Sequence, residues 1–208
     1  MTGRSPRPFV SAVLLAAGES TRMGSPKPLL PWLGGTLVQY QVDTLLQAGA
    51  SRVIVVTGHR ARDVARSLAG KAVTLVENED YASGRASSVR AGMAKVDVRT
   101  TAVLVLGVDQ PRPPELVSRV VQAHVKARAL ITVPSYEGRG GHPVVFSATL
   151  LPELRTVTDE TQGLREVMQR HQGNVQRVPV DTEVAVLDLN TPEEYARGQA
   201  LFPGLTTH

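Results

Sequence analysis

The sequence predicts an α/β protein of three layers, with a mostly parallel sheet held between two sets of helices. Two observations carry this. Apolar runs such as Val10 to Leu15, Arg52 to Thr57 and Ala102 to Val108 are short, rich in Val, and too continuous for strands with one wet face, so they read as strands buried on both sides. Between them the apolar residues recur at helical spacing, as with Val38, Val42, Leu45 and Leu46, then Val64 and Leu68. Strand and helix alternating at these intervals is the pattern of right-handed crossovers in a Rossmann-like sheet.

The elements follow in order. Residues 1–8 hold two prolines and two arginines without apolar periodicity and read as a mobile tail, leaving 9–208 as one domain. After the first strand comes a Gly/Ser/basic loop, a turn at 31–35, and a helix that Gly49 stops. The second strand, 52–57, turns at Gly58-His59 into a helix, and 73–76 is the third strand. A short helical pattern through Val89 and Met93 precedes the central strand, 102–108. Leu116, Val117, Val120, Val121 and His124 share a helical face, which makes His124 a packed residue near a helix end. A strand at 129–133, a Gly/Pro-rich loop and the apolar Val144 to Phe146 follow, then helices at 149–155 and 163–171. Strands at 175–180 and 184–189 lead to Thr191, Pro192 and Glu194, a capping box with Pro at the first helical position.

Composition narrows the function. There is no cysteine among 208 residues, which excludes disulfides and thiolate metal sites. No apolar stretch approaches the ~20 residues that cross a bilayer, and the first residues lack a signal-peptide core, so a cytoplasmic protein is expected. The net charge of +4 is spread over scattered Lys and Arg, with aromatics too few for a stacking platform. The basic balance fits a phosphate-rich small substrate equally well.

In parallel sheets ligands sit beyond the carboxyl ends of the strands. The first such loop, Ala16-Ala17-Gly18 onward, has no side chain to keep a ligand from the main chain, and Gly18 and Gly24 permit positive φ. Arg22 and Lys27 add two cations, so the loop reads as a polyphosphate grip. It is not a P-loop: five residues separate Gly18 from Gly24, and Lys27 comes three later. Nor is it the dinucleotide turn, which needs three spaced glycines opening a helix. A carboxylate, Asp109, ends the central strand, and Pro111, Pro113 and Pro114 delay the next helix, so Asp109 reads as a Mg²⁺ ligand rather than a cap. Ser87 and Ser88 each fit either a helix cap or a ligand contact, and His142 fits either a structural role or a site.

The run Leu15 to Lys27, L-A-A-G-x-S-x-R-M-G-x-x-K, resembles the MobA-like nucleotidyltransferases and most closely the molybdenum cofactor cytidylyltransferases. The resemblance extends to about Phe202. It implies the fold of the nucleotide-diphospho-sugar transferases and a Mg²⁺-dependent transfer of a nucleotidyl group with release of pyrophosphate. In that family the backbone from Leu15, Ala16, Ala17 and Gly18 to Gly24 would cradle the triphosphate, with Arg22 and Lys27 holding it. Asn78, Gly84, Ser87 and Ser88 would contact base and ribose, and His142 would lie near the acceptor. Asp109 would bind the metal, with Asp188 as its companion; Asn190 stands where the family usually has a second Asp. Ala17, where guanylyl-transferring relatives carry a Gly, points to CTP as donor and a molybdopterin-type acceptor. A molybdoenzyme or maturation chaperone would be the protein partner. Two alternatives remain open: a relative with another NTP or acceptor, and a non-catalytic carrier of finished molybdenum cofactor.

Overall fold

The computed structural model describes residues 8–20 and 23–202, so the tail expected over 1–8 lies outside the described residues except for Pro8. Strand β1 (Val10–Ala16) is buried along its whole length and leads, past a 3₁₀ turn at Lys27–Leu29, to a small hairpin of β2 (Pro31–Trp32) and β3 (Gly35–Thr36). Helix α1 (Leu37–Gln47) opens with a capping box in which Thr36 accepts from the Gln39 backbone N–H and Gln39 reaches back to Thr36, and Gly49 follows it at φ 93°. Then come β4 (Arg52–Thr57), α2 (Ala61–Ser67), β5 (Thr74–Glu77), α3 (Arg85–Met93) and β6 (Ala102–Gly107). Helix α4 (Pro114–Ala127) precedes β7 (Ile131–Tyr136), β8 (Arg139–Gly140) and β9 (Val144–Ser147). The described chain closes with α5 (Leu151–Leu154), α6 (Leu164–Arg170), β10 (Val175–Pro179) and α7 (Pro192–Leu201).

The main sheet has the order β10-β7-β9-β6-β1-β4-β5, with β8 paired to β7. β1 is parallel to both β4 and β6, and β4 to β5. Only β9, antiparallel to β6 and β7, and the short β8 run against the rest. The chain winds outward from β1 to β5 and then returns to place β6 on the other side of β1. The crevice between the carboxyl ends of β1 and β6 is therefore the switch point where a doubly wound sheet takes its ligand.

Alternation along the strands divides the interior into two cores. Ala12, Leu14, Val53, Val55, Leu104 and Leu106 face α1, α2 and α4, while Val13, Leu15, Ile54, Val56, Val103 and Val105 face α3, α5 and α6. Two faces packed at once is why these strands read as unbroken apolar runs.

Two expectations need correction. The segment 184–189 is not a strand: Glu183–Val186 form a 3₁₀ turn opened by the Thr182 side chain, which accepts from the Val184 N–H. Its carbonyls find partners elsewhere, Ala185 O on the Arg112 guanidinium and the His142 N–H, and Leu187 O on Arg112. A segment whose acceptors are already taken has no ladder to join. The helix expected over 149–155 is shorter, a 3₁₀ turn at Ala148–Leu150 followed by α5.

Candidate active site

A cleft of about 350 Å³ opens over the carboxyl ends of β1 and β6. Leu15, Ala17, Gly18 and Ser20 form one wall with Lys27 and Pro28; Tyr81, Gly84, Arg85 and Ser88 form the wall on the α3 side. Gly107, Val108, Asp109 and Asn190 make the floor. The loop is fixed by its own bonds: Ser20 Oγ accepts from the Lys27 N–H (3.0 Å), the Val108 N–H donates to Leu15 O, and the His59 N–H to Ala17 O. Gly24 takes positive φ (65°), as does Ser20 (59°), whereas Gly18 does not. Arg22 lies outside the described residues.

The decisive contact is on the floor. Lys27 Nζ donates to Asp109 Oδ2 at 2.9 Å and to Asn190 Oδ1 at 2.8 Å, joining residues far apart in the chain. Asp109 is set at the tip of β6 by two buried amides. Gln41 Nε2 donates to the carbonyls of Gly107, Val108 and Gln110, and Gln110 Oε1 accepts from the Gly107 N–H. A Cβ at Gly107 would lie 2.6 Å from Asp109 Oδ1 and 3.0 Å from Gln110 Oε1, so a larger residue there would displace those two side-chain ends. Asn190 is held at the start of α7, its N–H on Glu194 Oε2 within the expected capping box. Asp188 lies apart from this pair: its Oδ1 accepts from Gln110 Nε2 at 2.9 Å, and it does not line the cleft.

Behind the floor sits Arg112, fully buried. Its Nε donates to His142 O, its Nη1 to Pro111 O and Leu187 O, and its Nη2 to Ala185 O. Burial lowers its pKa to about 10, with Asp188 and Asp109 opposing that shift. His142 is brought to the same place, its N–H on Ala185 O. Burial first, then the charges of Arg112 and Arg85, push its pKa down to about 3. Its ring is therefore neutral at pH 7, with Nδ1 buried and without a partner among the described residues, and it is a weak base.

On the α3 wall the expected residues divide. Ser88 and Gly84 face the cleft, while Asn78 and Ser87 are a buried brace: Asn78 Nδ2 donates to both Ser87 Oγ (2.8 Å) and Ser88 Oγ (3.0 Å), and Ser87 Oγ turns back to Asp80 O and Gly84 O. Neither serine caps α3. That place is taken by Asp159, whose two carboxylate oxygens accept from the Ala86 N–H at 3.1 and 3.0 Å. Arg85 and Asp159 are both additions to the residues read from sequence. Asp159 lies in the loop between α5 and α6, and nothing local to it shows which helix it reaches.

No group of three or more His, Cys, Asp or Glu suited to a metal occurs among the described residues. The donor pair on the floor nevertheless fits a hard divalent cation, because a carboxylate oxygen and an amide oxygen already converge on one cationic nitrogen.

The MobA-like NTP transferase domain matches residues 12–175. The chain belongs to that family. It is 32% identical over 204 residues to nicotine blue oxidoreductase of Paenarthrobacter nicotinovorans, covering 94% of this chain and 98% of that protein. It is 29% identical over 187 residues to the molybdenum cofactor cytidylyltransferase of Escherichia coli K12, covering 89% and 93%. Among solved structures it is similar to Rv0371c of Mycobacterium tuberculosis H37Rv (TM-score 0.82, 30% identity, 94% of this chain and 100% of that one). Rv0371c has also been solved in complex with manganese (TM-score 0.76, 30% identity, 91% and 97%). The fold of the chain is thus that of the nucleotide-diphospho-sugar transferases, and no helix among the described residues is long and apolar enough to cross a membrane.

Proposed function

We propose that the chain is a divalent-metal-dependent nucleotidyltransferase that joins CMP from CTP to a molybdopterin-type acceptor and releases pyrophosphate. The observation that carries this is Lys27 shared by Asp109 and Asn190 on the floor of a glycine-walled cleft at the sheet's switch point. An acceptor phosphate oxygen attacks the α-phosphorus, the bond from that phosphorus to the bridging oxygen of the β-phosphate breaks, and pyrophosphate carries the electron pair away. Asp109 and Asn190 would hold Mg²⁺, which supplies neutralisation of the phosphate charge. The chain's own part is positioning. The Leu15 to Gly24 backbone and Arg22 receive the triphosphate, Ser88 and Gly84 border the nucleoside, and Gln41 and Gln110 keep the β6 tip in place. His142, neutral and half-buried, orients rather than abstracts a proton. The product would pass to a molybdoenzyme or its maturation chaperone in the cytoplasm.

A second reading is favoured by one finding, the similarity to a protein named an oxidoreductase over 98% of its length. In that reading the same cleft serves a redox reaction. One experiment separates the two: pyrophosphate release with Mg²⁺ and CTP, GTP, ATP or UTP, with and without molybdopterin, beside NADH and NADPH oxidation with a quinonoid dye. Acceptor-dependent release with CTP alone supports the cytidylyltransferase. Release with another NTP changes the donor, and dye reduction without any pyrophosphate overturns the transferase.

A further inference from the structure

The Lys27 ammonium occupies a place built for a different cation. Its two partners are both hard oxygens, the Asp109 carboxylate at 2.9 Å and the Asn190 amide at 2.8 Å, one following β6 in mid-chain and the other preceding α7. The backbone behind each oxygen is separately anchored. Asp109 O accepts from the Leu189 N–H, and the Asn190 N–H donates to Glu194, so both residues are held at the floor by bonds that do not involve Lys27. The positive charges around it are not equally mobile. Arg112 is locked by four carbonyls and cannot leave, whereas Lys27 has a flexible stem on a backbone pinned by Ser20 Oγ and the 27–29 turn. Lys27 lines the cleft beside Gly18 and Ser20, on the wall where the backbone is barest.

We propose that Lys27 is a stand-in cation: in the nucleotide-free protein its ammonium fills the Asp109–Asn190 oxygen pair, and a divalent cation entering there displaces it to bind the incoming phosphate. This rests on the nucleotidyltransferase reading and deepens it by giving Lys27 two alternative partners, the oxygen pair and the phosphate. Metal and ammonium compete for one oxygen pair, and phosphate removes the ammonium from the competition. Phosphate and metal therefore raise each other's affinity by the same factor, as linkage requires. Without Lys27 the metal binds more tightly to the nucleotide-free protein, although the nucleotide binds less tightly.

The test uses the full chain and Mn²⁺ alone, with free Mn²⁺ followed by electron paramagnetic resonance. Lys27→Met is expected to bind Mn²⁺ about tenfold more tightly than wild type without nucleotide, within the usual range of coupling between sites. Asn190→Ala placed on top of it should abolish that gain, and Lys27→Gln serves if Lys27→Met does not fold. Mn²⁺ binding to the Lys27 variants that is unchanged or weaker than wild type overturns the proposal. The two readings fail separately. Wild-type Mn²⁺ affinity raised by CTP, with no gain in the Lys27 variants, removes the stand-in and keeps the transferase. A gain in those variants with no effect of any NTP keeps Lys27 as the competitor for the oxygen pair, overturns its transfer to phosphate, and removes the transferase.

Discussion

Replacing Arg112 by Met should cost the protein roughly 3 kcal/mol, and the structure says where that comes from. Arg112 donates four hydrogen bonds to four carbonyls on three segments, 111, 142 and 185–187. Ala185 O keeps a partner, the His142 N–H, but the carbonyls of Pro111, His142 and Leu187 lose the one they have among the described residues. Each orphaned buried acceptor costs about 1–3 kcal/mol. Against that loss, the variant no longer buries a charge, which recovers several kcal/mol of desolvation penalty. A net of roughly 3 kcal/mol lowers Tm by about 6–12 °C for a chain of this size. Arg112→Lys should cost at least as much, since its ammonium stays buried and charged but cannot span carbonyls on three segments. Thermal unfolding followed by circular dichroism, with urea titrations for the free energy, measures both variants. An Arg112→Met Tm within about 2 °C of wild type refutes the accounting.

Three further outcomes are expected. His124, buried with Nδ1 on Thr132 Oγ1 (2.9 Å), has its pKa lowered by burial to about 4 from an ordinary 6.5, so the unfolded chain binds its proton more readily. Stability should be full above pH 6.5 and fall towards pH 4 by up to about 3 kcal/mol, with His142 pulling the same way. Urea titrations at pH 7 and 4.5 check this, and a His124→Gln variant with the wild-type pH dependence would contradict it. Asp109→Asn should reduce pyrophosphate release at least about a hundredfold while circular dichroism and Tm stay near wild type; a variant of ordinary rate removes Asp109 from the metal site. Gly141→Ala should lose about 2 kcal/mol or more, because its Cβ would lie 2.0 Å from Ala185 O, a backbone atom that cannot step aside. An unchanged urea midpoint would mean that the loop yields more easily than its contacts imply.

Much of this architecture is legible in the sequence because its causes are local. The aliphatic run before Asp109 announces the strand that carries this residue at its end, and Thr191, Pro192 and Glu194 spell out the start of α7. What is hidden depends on partners distant in the chain. Residues 184–189 have strand-like composition, yet their carbonyls belong to Arg112, and nothing nearby reveals this. That same irregular segment decides which of Asp188 and Asn190 turns to the cleft, so a choice between two polar residues two positions apart rests on a guanidinium some 75 positions away. Asn78 and Ser87 are polar and sit beside the cleft, but their hydrogen-bonding capacity is spent on each other and on the backbone. Asp159 closes the start of α3 from 73 positions away, which no capping pattern can foresee.

The last helix has a bearing on how the protein comes to exist. Trp32, Tyr40, Tyr195 and Phe202 pack ring against ring, fastening α7 to the hairpin and α1, and Asn190 hangs from the beginning of that helix. During synthesis β1, its loop and β6 have emerged long before α7 is made. Lys27 is made before either of its partners and Asp109 well before Asn190, so through the later part of translation Lys27 has only Asp109 to hold, and the floor of the cleft closes when the final aromatic residues reach Trp32. Ordering of that floor and completion of the fold are in this way one event.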